Sequence, residues 1–135
     1  EFTTLAQRFL LQNDPIIEAP HLLYRQGYFY LFMSFNHCCR GADTQYQVRV
    51  GRSRDIAGPY LDANGWPLYL GGGTPLIARD GNYMGTGHSD LFSENGQDWL
   101  VHHAKRADED YRAYLHIRKL RWLTTGWPSL CAEPA

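Results

Sequence analysis

The stretch "IIEAPHLLYRQGYFYLFMSF", Ile16 to Phe35, reads as two apolar strands joined by a tight turn at Arg25-Gln26-Gly27. One acid, Glu18, stands at its head and is followed by Ala19 and Pro20, where a strand ordinarily begins with an apolar side chain. A second stretch gives that acid a context. "GHSDLFSENGQDWLVHHA", Gly87 to Ala104, lies beside Glu18–Phe35 with Gly27 and Gly96 separated by 69 residues, each followed within three positions by an aromatic that opens an apolar strand. Tyr46 and Tyr114 are 68 apart in third strands, and Gly65-Trp66-Pro67 recurs as Gly126-Trp127-Pro128. The chain therefore holds two copies of one unit. A unit of roughly 60 to 70 residues with about four antiparallel strands is the sequence signature of a propeller blade.

Apolar residues recur at spacing two or in short unbroken runs, and no long window keeps the helical period, so the chain is all-β. The expected strands are Ile16–Tyr24, Tyr28–Phe35, Gln45–Ser53, Pro75–Ala78, His88–Ser93, Trp99–His103, Tyr111–Leu120 and a short one near Trp122. This divides the chain into a lead-in (1–15), a first blade (16–70) and a second blade (71–135). A two-sheet sandwich is the competing architecture. In a propeller the first strand of each blade lines the central channel, so Glu18 and His88, 70 residues later, would converge on one axial cavity.

The 13 basic and 14 acidic residues are interspersed, without the basic stripe a phosphate backbone attracts, so nucleic acid is not an expected partner. No apolar run reaches membrane-spanning length, and "EFTTLAQRFLLQND" lacks the basic and long apolar regions of a secretory leader. Cys38, Cys39 and Cys131 have neither metal-site nor Cys-x-x-Cys spacing and are expected to be free thiols, a vicinal bridge requiring a strained peptide unit. Phe, Trp and Tyr together make 19 of 135 residues, enough to supply stacking surfaces for sugars, although strand propensity also enriches them.

"IEAPHLLYRQGYFYLFMSFNHCCRG" (Ile17–Gly41), "VGRSRDIAGPYLDANG" (Val50–Gly65), "GGGTPLI" (Gly71–Ile77), "GTGHSDLF" (Gly85–Phe92) and the closing Gly-Trp-Pro, in this order, resemble family 43 glycoside hydrolases, and among them the endo-1,5-α-L-arabinanases. The resemblance implies a five-bladed β-propeller with an axial site that hydrolyses arabinan with inversion, using three carboxylic acids. It implies secretion, and a central calcium held largely by water. The glutamate of the family's Glu-Ala-Pro motif, its general acid, falls on Glu18; the histidine of its Gly-x-Gly-His motif, part of the metal site, falls on His88. Asn36 and His37 depart from the Asp-Phe that often precedes the cysteine pair. The chain holds about two blades of the five, and neither the catalytic base nor the aspartate that tunes the acid has a counterpart in it.

An inverting glycosidase needs one carboxylic acid to protonate the leaving oxygen and one carboxylate, about 6.5–9.5 Å away, to activate water. Glu18 can fill only the first role. A lone imidazole at His88 leaves most of a calcium shell to water, since calcium prefers six to eight oxygens. Arg40 is placed to donate paired hydrogen bonds to sugar hydroxyls or a carboxylate, and Phe35, Tyr46 and Trp66 offer rings for stacking. His102 and His103 must face opposite sides of a strand and, with His21 and His116, are expected to be structural. Two blades leave sheet faces bare, so the partners are arabinan or its oligosaccharides, and either the missing N-terminal blades or other copies of the chain. The alternative function is a non-catalytic propeller that binds arabinan-type sugar or acts as an assembly module.

Overall fold

Alternating side chains and glycine turns produce eight strands in the computed structural model, which describes residues 1–9 and 14–130. They are β1 (Ile17–Arg25), β2 (Tyr28–Phe35), β3 (Gln47–Ser53), β4 (Thr74–Ile77), β5 (Tyr83–Glu94), β6 (Gln97–Arg106), β7 (Arg112–Trp122) and β8 (Pro128–Leu130). They form two four-stranded antiparallel sheets, β1-β2-β3-β4 and β5-β6-β7-β8. The hairpins β1–β2 and β5–β6 close through Gln26-Gly27 and Asn95-Gly96, whose φ angles of 51° and 82°, and 50° and 77°, are those of a turn that matches strand twist and favours glycine.

The repeat is a structural one. Glu18↔Ser34, His21↔Phe32 and Leu22↔Leu31 in the first hairpin correspond to Gly87↔His103, Asp90↔Val101 and Leu91↔Leu100 in the second, every residue 69 positions on. The third strands keep a different offset: Phe29↔Ser53 corresponds to Asp98↔Leu120, so the loop before β7 is two residues shorter. Tyr46 therefore precedes β3 and matches Ala113, not Tyr114.

Three expectations change. β4 pairs with β3 through Arg49↔Pro75 and Val50↔Thr74, so the first blade continues to Ile77, and Gly71–Gly73 is a turn within it rather than the boundary at 70/71. β5 begins at Tyr83, and Trp122 ends β7, the last short strand being Pro128–Leu130. Cys38 and Cys39 are joined to each other as a vicinal disulfide, not free thiols; Cys131 lies outside the described residues.

β2 is buried on both faces, so it reads as an unbroken apolar run. Tyr30 and Phe32, with Val48, Val50 and Ile77, pack toward Leu91, Leu100 and Leu120 of the second sheet. Leu31, Met33 and Phe35 pack on the other side against Tyr60 and Leu68 of the β3–β4 loop and Leu5 and Ala6 of the lead-in. Gly51 is obligatory there because a Cβ would stand 2.4 Å from Leu68 Cδ1. The blades are tied at their turn ends by Asp98, 4% exposed, which accepts hydrogen bonds from Arg25 Nη1 (2.5 Å) and Trp122 Nε1 (2.7 Å) and from the Ser93 hydroxyl. The second sheet has one covered face. Arg118 and Leu120 of β7 are buried, whereas Leu115 and Ile117, on the opposite face of the same strand, are 73% and 56% exposed, and Phe92 on β5 is 44% exposed.

Candidate active site

Each inner strand carries a bulge at the same place, between Glu18 and His21 in β1 and between Gly87 and Asp90 in β5. Bulges re-aim side chains, and both here contain a non-glycine residue at positive φ, Ala19 at 51° and His88 at 50°. His88 is therefore the counterpart of Ala19. The counterpart of Glu18 is Gly87, which corrects the expected Glu18–His88 equivalence by one residue. Both side chains are exposed, and the His88 strand is bonded directly to the Glu18 hairpin: His88 N–H donates to Ser34 Oγ at 2.8 Å, and Ser34 is the strand partner of Glu18.

Gly87 has a specific steric reason. A Cβ there would lie 2.2 Å from Cε1 of Tyr46, whose ring occupies that space, so this glycine is required for clearance. Tyr46 is 1% exposed, stacks on His103 at 5.5 Å between ring centres, and donates its hydroxyl to Glu18 Oε1 at 2.6 Å. Burial, with the adjacent Glu18 carboxylate, pushes the Tyr46 phenol up to about 12. Tyr46 is thus a hydrogen-bond donor throughout the neutral range and is too buried to stack on a sugar. Burial holds the His103 imidazole below its ordinary value, and the positive charges of Lys105 and His88 push it the same way, so His103 is neutral beside the tyrosine.

Glu18 also borders a cavity of about 350 Å³ on the outer side of the first sheet, lined by Ile17, Pro20, Leu31 and Met33 and by Thr3–Ala6 of the lead-in. Arg40 has its guanidinium half exposed, 3.7 Å from the carboxylate of Asp14. Asp14 is 7% exposed, accepts from the His37 amide (2.8 Å) and pairs with His37 Nδ1 (2.6 Å). Burial by itself would raise that carboxyl; the His37 bonds and Arg40 outweigh it and hold it below the usual range. Phe35 lies beneath the surface at 2% exposure, with the guanidinium of Arg8 4.6 Å and that of Arg49 5.7 Å from its ring centre, so it presents no open face here. Trp66 is 56% exposed, its indole N–H held by Leu70 O at 3.1 Å. His21 pairs with Asp90 at 2.7 Å. Among the described residues no three His, Cys, Asp or Glu side chains converge as a metal site. Calcium prefers six to eight oxygen ligands, so His88 would fit such an ion as a single imidazole donor with water filling most of the shell.

Ser34, His103 and the support role of Tyr46 were not legible as site features beforehand. The one available signal was Ser34, the single polar residue in "YFYLFMSF".

Two four-stranded sheets with a carboxylic acid exposed at an inner strand are in place, and comparison with known proteins gives the family. Residues 3–128 match the glycosyl hydrolases family 43, and the chain belongs to that family. It is 42% identical over 114 residues to the extracellular exo-α-(1→5)-L-arabinofuranosidase of Cellvibrio japonicus, covering 84% of this chain and 33% of that protein. It is 41% identical over 117 residues to the extracellular endo-α-(1→5)-L-arabinanase 1 of Bacillus subtilis, covering 87% and 35%. The structure of Cellvibrio cellulosa α-L-arabinanase complexed with arabinohexaose superposes with a TM-score of 0.89 at 38% identity, covering 97% of this chain and 44% of that one. The family 43 endo-arabinanase of Bacillus licheniformis superposes at 0.83 and 39% identity, covering 94% and 42%. The chain therefore spans about a third of the length of these curated relatives, and its two sheets are two blades of the five-bladed arabinanase propeller, not a sandwich.

Proposed function

We propose that this chain is the acid-bearing part of a secreted, inverting arabinan hydrolase, with Glu18 as the general acid and the catalytic base supplied by blades outside it. The observation that carries the reading is the exposed Glu18 carboxyl at the inner strand, fixed by a bulge and a 2.6 Å bond from a buried tyrosine. In the reaction a base carboxylate activates water, the water attacks the anomeric carbon, and the Glu18 proton passes to the departing glycosidic oxygen as the C–O bond breaks. His88 would contribute one nitrogen to a weakly held hydrated calcium ion; no step of the chemistry passes through that ion. Arg40 contacts substrate hydroxyls. The similarity to relatives with extracellular names supports secretion.

Release of arabino-oligosaccharides from linear arabinan, abolished by Glu18→Gln, is the expected result, tested with the chain alone and with the remaining blades of an arabinanase added. Arabinan binding without release under both conditions would support a sugar-binding module instead. That second reading draws on one feature: the hydrogen bond to Glu18 comes from a tyrosine, and among the described residues no carboxylate is its partner.

A further inference from the structure

We infer that Tyr46 is a positioning residue for proton transfer from Glu18, its buried hydroxyl held ready to stabilise the carboxylate that forms there. The inference rests on the proposed role of Glu18 and deepens it. Tyr46 Oη donates to Glu18 Oε1 at 2.6 Å, and Ser34, the strand partner of Glu18, accepts from His88 N–H at 2.8 Å, which ties the two hairpins together beside that bond. Tyr46 is 1% exposed, its ring is fixed by His103 on one side and by the space left at Gly87, and its amide is held by Thr44 Oγ1 at 3.3 Å. The donor is therefore already in place before any substrate arrives.

The consequence is chemical. While Glu18 carries its proton, the Tyr46 bond is one between neutral groups. As that proton moves to the glycosidic oxygen, Glu18 becomes a carboxylate and the same bond becomes charge-assisted, roughly twice as strong. An interaction that strengthens as charge develops lowers the barrier rather than merely binding substrate. The Glu18 O–H bond and the anomeric C–O bond break, an O–H bond forms on the leaving sugar, the attacking water forms the new C–O bond while one of its O–H bonds breaks and that proton passes to the base carboxylate of the other blades, and Tyr46 keeps its proton.

Tyr46→Phe keeps the ring and removes only the hydroxyl, so it separates this role from packing. On arabinan, kcat is expected to fall by about tenfold with KM unchanged, the size of one lost charge-assisted bond. On an aryl arabino-oligosaccharide with an acidic phenol as leaving group, which needs little protonation, kcat is expected to stay within about twofold. An equal loss on both substrates, or none on arabinan, overturns the inference. Glu18→Gln run alongside tests the underlying reading separately: if it does not abolish arabinan cleavage while sparing the activated substrate, Glu18 is not the acid, whatever Tyr46 does. A readout independent of turnover is the Tyr46 hydroxyl proton in NMR spectra of the chain, expected to exchange slowly, to shift in Glu18→Gln and to vanish in Tyr46→Phe. A line unmoved by Glu18→Gln overturns the bond itself.

Discussion

Replacing Gly87 by alanine should disarm the site from the neighbouring blade. Gly87 is not at a positive φ, so alanine meets no backbone obstacle and the whole effect falls on side chains. The added methyl would stand 2.2, 2.5 and 2.9 Å from Cε1, Cδ1 and Cζ of Tyr46, against an ordinary carbon–carbon contact of about 3.5–4.0 Å. The ring must retreat by more than about 1 Å, but it is buried, stacked on His103 and bonded to Glu18 at 2.6 Å. Overpacking costs about 1–3 kcal/mol. Losing the bond to a carboxylate adds about 1.5–3 kcal/mol, for a total near 3–5 kcal/mol. For a domain of this size that lowers the melting temperature by roughly 10 °C or more. Thermal melts of Gly87→Ala, Tyr46→Ala and the double variant form a cycle in which the double should be less destabilised than the sum by about 1–3 kcal/mol, because the second change removes the clash created by the first. A Gly87→Ala protein that melts within 0.5 kcal/mol of the parent while Tyr46 still bonds Glu18 would refute the steric account.

Asp98→Ala leaves Arg25 and Trp122 without their shared acceptor between the blades and should cost about 3–5 kcal/mol in urea unfolding, Asp98→Asn costing less. His102 is 1% exposed and burial, foremost, holds its imidazole below the ordinary 6.5, so on acidification the unfolded chain takes up that proton first. Stability should therefore fall as pH drops from about 6.5 toward the folded value, by at most about 1.4 kcal/mol per pH unit for this one group, and the slope of urea midpoints against pH should flatten in His102→Asn. Sedimentation should show the chain self-associating or binding the missing blades through the open face of the second sheet, and Ile117→Lys, at a position 56% exposed, should shift the profile toward monomer without lowering the melting temperature.

Much of this fold is written in two 18-residue windows, because glycine turns and period-two alternation are local signals that fix pairing and register together. Glu18 and His88 stood out for a different reason, their place in motifs that resemble those of a known family. Tyr46 and Ser34 were not, since the bond from Tyr46 to Glu18 spans 28 residues and depends on which loop residue swings across the sheet. His103 read as structural because its stacking partner lies on the other blade. The blade boundary was misplaced where Gly71–Gly73 mimics a linker, although tertiary pairing of Arg49 with Pro75 carries the sheet past it. The vicinal disulfide depends on the geometry of one loop, which spacing rules for cysteine do not address.

The common register of the two inner hairpins constrains how such a molecule can vary. A residue gained or lost between Glu18 and Ser34, or between Gly87 and His103, would send every subsequent side chain to the opposite surface of its sheet, removing both the acid and the gap that admits its tyrosine. The connection to the third strand has no such restriction, and it already differs by two residues between the blades. Length changes that reshape the substrate-facing rim can accumulate in those connections while the machinery at the axis stays untouched.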